Sequence, residues 1–448
     1  MFGVDNSVDG RVGTAGAVRG YAVMRRTHRY ALIIKAVIAA ILALCVFASA
    51  QSPLGLQYPL GIPDLAVPGA AAAMGGSGTA VADEFWGMGL NPANAAIGER
   101  SAFSALVSLD MTTVKEDGAS PSSVSGYSPK LLSLIIPIGK AGNVGFAMQK
   151  RYDANLNFYT KETEESADGY GTKTNTIEFG RKGGLTAWQA GWAYRFGSGM
   201  SVGLLYEKLY YNRESRDVFE SLFDYPDATY RAGMIATEVL HFESDGIRFG
   251  MQVPVHSTVT LGVAAEYIIQ GSDNGLRTRE YFRTDAVNAP LDNSARSYSV
   301  TLPPSINIGA AYAPNDHWLF AADAHSTLWE AYTNDLDTNK VQRVYGLSAG
   351  GRFIPSTNRL SAEYWEKIHY SAGLRYTSLP HYETSDGARE YAVSLGLGLP
   401  IPNEGGIVDI AIDIGRRTDD RYKDRKYGEN TIKIQLGING GRNWFQRE

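Results

Sequence analysis

Gly346-Leu347-Ser348-Ala349-Gly350 matches the G-x-S-x-G elbow that presents a nucleophilic serine in hydrolases. An elbow needs a strand, a sharp turn and then a helix, so that the hydroxyl stands exposed at the turn. Here Arg352 and Phe353 continue a strand pattern with no helix after it, so the match reads as coincidence. His325 and His369 stand singly on polar strand faces, with no paired-histidine motif and no calcium loop, and each reads as a hydrogen-bonded polar residue. Arg195, Arg248 and Arg375 fall on similar faces. Each guanidinium could hold a carboxylate headgroup through charge-assisted hydrogen bonds, or could pair with carboxylates of the wall itself. No catalytic site, metal or cofactor is expected.

The elements that carry these residues are strands. Between Ala388 and Phe445, large apolar side chains take every second position: Tyr391, Val393, Leu395, Leu397 and Leu399, then Val408 to Ile414, then Ile432 to Ile438. Ser394, Gly396, Asp409, Asp413, Lys433 and Gln435 lie between them. A period of two means one apolar and one polar face. The pattern recurs at Trp188 to Phe196, at Ile247 to Val255 and at Ile368 to Tyr376. Fourteen candidate strands follow from position 102: 102–113, 130–139, 143–157, 176–196, 200–212, 237–255, 258–270, 298–313, 317–330, 342–354, 366–378, 388–400, 407–416 and 430–440.

The connections between them alternate. Short ones at 139–142, 197–199, 256–257, 314–316 and 402–406 exchange with long polar ones near 114–129, 158–175, 213–236, 271–297, 331–341 and 417–429; only 355–365 breaks the rule. Such two-sided regularity belongs to transmembrane barrels, with short periplasmic turns and long external loops. Composition agrees: 49 Gly and 26 Tyr with 20% charged residues suit a lumen wall packed by glycine and a lipid boundary lined by tyrosine. Asp409, Asp413, Lys433, Arg248, Glu266 and Asp323 share the polar faces, and each cation turned to mid-membrane would cost about 2 to 4 kcal/mol. The aliphatic faces must meet outer-membrane lipid, and the polar faces a lumen holding water, a plug or both. Trp188, Trp192, Trp318, Trp329 and Trp444 read as interface anchors.

Residues 24–50 carry Arg25, Arg26 and Arg29, an apolar run and Ala48-Ser49-Ala50, the pattern of a secretory signal peptide; 1–23 read as an upstream extension. Cys45, the single cysteine, lies in that segment, so the mature chain is expected to have neither disulfide nor thiolate site. Residues 1–50 hold six basic and two acidic side chains, and removing that +4 from the whole-chain −5 leaves −9. A charge of that sign argues against nucleic acid as a partner.

The segment 51–100 is rich in Gly, Ala and Pro, and Gly75, Gly76 and Gly78 would stop any helix begun at Ala70 to Ala73. Gly75-Gly76-x-Gly78-Thr79-Ala80-x-Ala82-Asp83-Glu84, then Asn91-Pro92-Ala93, Leu302-Pro303-Pro304-Ser305, Gly396-Leu397-Gly398-Leu399-Pro400 and a final Trp444-Phe445 resemble the FadL-type outer-membrane transporters of hydrophobic compounds, in particular the FadL-like branch common in Bacteroidetes and related phyla. The resemblance implies an all-β fold, a fourteen-stranded antiparallel transmembrane barrel over 101–448, with an N-terminal hatch over 51–100 marked by Gly76, Gly78, Asp83, Asn91, Pro92 and Ala93. It also implies passive uptake of a hydrophobic small-molecule ligand, captured at external loops, held in the lumen and released sideways through a gap in the wall. The third and fourth external loops would be 213–236 and 271–297; the former carries Val218, Phe219, Leu222, Phe223 and Tyr225, which could line a capture groove or pack the loop onto the barrel rim. The family opens its wall at a kinked third strand, yet the strand from Asn143 has no mid-strand Gly or Pro; Gly180, Gly183, Gly184 and Pro303-Pro304 are the candidate irregularities. The same resemblance leaves open a barrel that serves type IX secretion or surface attachment, with secreted proteins as partners and no small-molecule transport.

Overall fold

The computed structural model describes residues 58–442 apart from position 65 and the segments 117–121, 166–170, 270–273, 284–289, 358–360, 382–386, 402–405 and 420–426. The expected extension, the signal segment, the first residues of the expected hatch and the Trp444-Phe445 ending lie outside them.

Twenty strands follow in order. They are β1 (Ile62–Pro63), β2 (Ser101–Glu116), β3 (Ser122–Pro137), β4 (Asn143–Asp153), β5 (Leu156–Glu165), β6 (Thr172–Arg195) and β7 (Ser201–Tyr225). Next come β8 (Ala228–His256), β9 (Val259–Ile269), β10 (Gly275–Arg283), β11 (Pro290–Tyr298), β12 (Val300–Thr301), β13 (Ser305–Asn315) and β14 (Trp318–Thr327). The last are β15 (Thr333–Asn334), β16 (Val344–Phe353), β17 (His369–Ser378), β18 (Ala388–Ile401), β19 (Gly406–Asp419) and β20 (Tyr427–Arg442). A five-residue helix, α1 (Gly69–Ala73), and a 3-10 turn, Pro92–Ala96, precede β2.

Antiparallel pairing runs from β2 around to β20, and β20 pairs back onto β2 from Ser101↔Arg442 to Glu116↔Tyr427. The result is a closed barrel of fourteen staves, because β4 with β5, β9 with β10, and β11 with β13 each form one interrupted stave. All fourteen expected strands are present. Alternation sets which face meets lipid: Leu374, Ile414 and Leu395 are 61%, 55% and 57% exposed, while Arg375, Asp413 and Ser394 beside them are buried in the lumen. Val408 and Leu436, in phase with the outward set, are buried.

Several expectations change, and the long connections expected at 158–175 and 271–297 are themselves mostly strand, in β5 with β6 and in β10 with β11. The segment 213–236 is no loop: β7 and β8 continue as a hairpin to a two-residue turn at Pro226-Asp227. Arg213–Glu238 at 3.1 Å, Arg216–Glu178 at 3.1 Å and the Arg181–Asp217 pair hold it across the strands. Polar side chains pair across both faces of this ladder, so it needs no apolar alternation, which is why its sequence looks like a loop. Second, the third stave does break, at Ala154-Asn155, opposite Gly183 and Gly184 at φ +117° and +142°. Those glycines reshape the neighbouring strand, so the interruption is encoded in its partner. Third, Trp329 is no interface anchor. It is buried with Tyr332, Val341 and Val344 in an apolar cluster that also takes Leu185, Leu209, Tyr211, Phe242, Ile268, Tyr298 and Leu60. Trp188, Trp192 and Trp318 do face outward.

Candidate functional site

Most of the described residues between 58 and 100 lie inside the barrel, and the wall is cut to receive them. Glycines sit opposite each other across the ladders at Gly203/Gly250, Gly262/Gly309 and Gly350/Gly373. A Cβ at Gly203 would stand 2.4 Å from the Pro92 carbonyl carbon, one at Gly262 2.4 Å from the Thr79 oxygen, and one at Gly373 2.2 Å from the Met74 carbonyl carbon. Only a wall without side chains at these points lets the inner segment touch the strand backbone. α1 ends where Gly75 and Gly76 turn to φ +72° and +87°.

Polar side chains of the wall bind that segment. The Asp323 carboxylate accepts from the Gly78 and Thr79 N–H groups at 2.7 and 2.8 Å and from the Thr79 hydroxyl at 2.9 Å. Asp409 accepts from the Ala70 N–H at 3.1 Å and from the Asn439 amide at 2.6 Å. Gln252 donates to the Thr79 and Val81 carbonyls, both at 3.1 Å, and Asn143 to the Ala95 and Gly98 carbonyls at 2.5 and 2.8 Å. The Asn91 side chain accepts from the Ala93 N–H at 3.0 Å, capping the 3-10 turn that Pro92 opens. Its amide donates to Thr79 at 2.7 Å and to the Met251 and Val263 carbonyls at 3.3 Å, spanning β8 and β9. Asp83 pairs with Arg352 at 2.8 Å. The Asn-Pro-Ala run thus folds its own turn and fastens it to two staves.

Ion pairs occupy the lumen on two sides of the plug. On one, Arg248 meets Glu266 at 3.0 Å and Glu207 at 3.4 Å, donates to the Gly89 carbonyl, and shares Glu266 with Arg151. On the other, Arg375 meets Glu390 at 2.8 Å and Asp413 at 3.1 Å, and Arg417 meets Glu390 at 2.6 Å. Arg195 does not join them: it lies exposed at the short-turn end of β6, where that face opens to water. Ser348 sits in mid-β16 and belongs to no elbow.

A cavity of about 1420 Å³ lies against the staves from β9 to β20. Through its lining runs one row of lumenal positions along the hydrogen-bonding direction, Gly262, Gly309, Asp323, Ser348, Arg375, Ala392, Gly415 and Thr431, flanked on each strand by the adjoining positions, such as Leu347 and Leu374. Most of the row is small, so the space remains open beside the plug. Sequence reasoning missed this row, because its members come from eight strands and only the register aligns them.

The wall is also incomplete. β3 leaves β4 after Leu131↔Gln149, and among the described residues no pairing joins the upper part of β3 to β5. β1 pairs with the freed edge at Tyr152 and Asp153. Beside it the buried Lys130 ammonium holds Asp64 of the plug at 2.6 Å and Asp110 of the wall at 2.9 Å. Phe219, Phe223 and Tyr225 share one face of the β7–β8 hairpin by parity, and Leu222 takes the other; Phe219 is exposed and packs edge-on to Phe179 at 5.4 Å.

A closed barrel with an inner segment, aliphatic staves outside and ions within has the fold of the FadL-type outer-membrane β-barrels. The fold is similar to that of a Pseudomonas aeruginosa FadL homologue, with a TM-score of 0.57 at 13% identity over 86% of this chain and 99% of that one. It is also similar to the Pseudomonas putida toluene transporter TodX, at 0.53 and 14% over 83% and 97%, and to the monoaromatic hydrocarbon channel CymD, at 0.52 and 14% over 85% and 98%. No curated protein sequence matches the chain. The family model described as BamG matches residues 32–448, and the chain belongs to that family.

Proposed function

We propose that the chain is an outer-membrane channel through which hydrophobic small molecules, fatty acid-like or aromatic, pass without covalent change. The observation that carries this reading is the cavity beside the plug, bordered by glycine and alanine at Gly262, Gly309, Ala392 and Gly415, by aliphatic positions such as Leu261, Ile308, Leu347 and Leu374, and by Asp323 and Arg375. With the long connections assigned to the exterior, the Phe219, Phe223 and Tyr225 face, aided by Leu222 on the reverse, captures the ligand. Arg375, or Arg248 across the lumen, holds an anionic headgroup where one is present, and Arg195 stays at the far rim. The slot between β3 and β5 is the exit, and residues 51–100 act as the hatch. Purified protein should bind members of a panel of long-chain fatty acids and aromatic hydrocarbons, and deleting 51–100 should change flux in liposomes. No binding across the panel would reject the proposal.

One observation favours a second reading, in which the barrel serves type IX secretion or surface attachment. Lys130, with both its carboxylate partners buried, locks the plug across the slot. Recovery of secreted proteins with shared C-terminal domains in a pull-down, from a barrel that passes no ligand, would favour that role.

A further inference from the structure

Near the long-connection end, Tyr345, Tyr376 and Tyr391 neighbour one another across β16, β17 and β18, with ring centroids 6.0 and 5.1 Å apart. Tyr127 on β3 is likewise exposed. Rings on an outward barrel face mark the depth at which hydrocarbon gives way to headgroups. Between Tyr391 and Tyr127 the rings are replaced by cations. Arg416 lies directly across the ladder from Tyr391, while Arg389 and Lys115 stand one step farther out, linked in register through Thr418 and Gly428. All three are exposed. Toward mid-membrane the same face is aliphatic, with Val393, Ile414 and Ile432 exposed.

No acid shares that face among the described residues of these four strand ends: Glu390, Asp413, Asp419 and Glu429 are all buried on the lumenal side. On the tall hairpin two outward cations are matched, Lys208 by Glu243 at 3.2 Å and Asp245 at 3.5 Å, and Arg216 by Glu178 at 3.1 Å. Arg416 and Lys115 have no ion pair among the described residues. Unmatched cations at headgroup depth draw anionic lipid.

We propose that the outward face of β18, β19, β20 and β2 binds the phosphorylated headgroup of a membrane lipid. Arg416 and Lys115 hold phosphates from stations two strands apart, on the order of 10 Å, with Asn430 and Thr113 between them in the ladder. Arg416 and Asn430 belong to strands that also border the cavity, so the test reads lipid binding itself and not flux through the lumen.

The test is binding of diphosphoryl lipid A by the full barrel in detergent, followed by native mass spectrometry, with dephosphorylated lipid A and inorganic phosphate as comparison probes. Losing each cation should weaken binding about fivefold, so the Arg416→Gln/Lys115→Gln double variant should bind roughly 25-fold more weakly. Lys208→Gln should bind as the parent does, and the dephosphorylated lipid should lose the preference for the parent. Equal binding by parent and double variant, or displacement of the lipid by inorganic phosphate at equal concentration, would overturn the proposal. If the double variant does not reach the heat-stable folded form, the fivefold loss in Arg416→Gln alone decides.

Discussion

The barrel has two unlike walls. The staves from β5 to β8, with β10 and β11, form a tall one: β7 has 25 residues and β8 has 29, about 80 and 95 Å at roughly 3.3 Å per residue. The staves from β14 to β20 are 10 to 16 residues long, apart from the two-residue β15, and end near the membrane. Cross-strand ion pairs and an apolar cluster hold the tall wall, and its lumenal side is filled by Leu209, Tyr211, Phe242 and Trp329. Both walls seat the plug on glycine, at Gly203 and Gly250 in the tall one and at Gly350 and Gly373 in the short one, but the cavity borders the short one, where its lumenal side alternates Ser348, Ala392 and Gly415 with the Arg375 and Arg417 ion pairs. Bulk on one wall stabilises the chain itself; missing bulk on the other makes room for something else.

That contrast can be broken at single residues. The largest effect is expected at Gly373→Leu, where the new side chain starts 2.2 Å from the Met74 backbone. We expect no heat-stable barrel on electrophoresis, whereas Gly180→Ala in the tall wall, 3.5 Å from its nearest neighbour, should fold normally. Next comes Trp329→Ala, which empties the centre of the tall-wall cluster and should cost about 3 to 5 kcal/mol in urea unfolding without altering the plug. Asp323→Ala strips the acceptor from two backbone N–H groups and should cost about 2 to 3 kcal/mol, with new protease cleavage near Thr79. An intact segment there would show that the glycine seat alone holds the plug. The smallest effect on stability belongs to Phe219→Ala, under about 1 kcal/mol because the ring is exposed, yet it should weaken ligand capture measured by tritiated oleate binding.

Where one face meets lipid and the other a polar lumen, the sequence declares its structure, and the staves from β14 to β20 were readable residue by residue. Asn91-Pro92-Ala93 stood out only through the family resemblance, although a cap, a fixed φ and a small residue make a turn whose parts are local. The tall hairpin was not readable, since two polar faces impose no period, and its charge pairs become visible only once Arg213 faces Glu238. Gly183 and Gly184 were visible as irregularities, but that they interrupt the neighbouring third stave was not, because the break lies in a strand without a glycine or proline of its own there. Trp329 misled for a related reason. An aromatic residue at a strand end suits a membrane boundary as well as an inward fold, and the choice depends on Tyr152, which packs edge-on against it at 5.8 Å.

The glycine pairs also constrain the order of assembly. Met74 and Pro92 touch strand backbone on opposite parts of the wall, so the inner segment and the staves share contacts on both sides of the lumen. The order this favours has the seam between β2 and β20 sewn last, around a core already seated. A cysteine pair placed across that seam and oxidised early should trap a hollow, unstoppered cylinder.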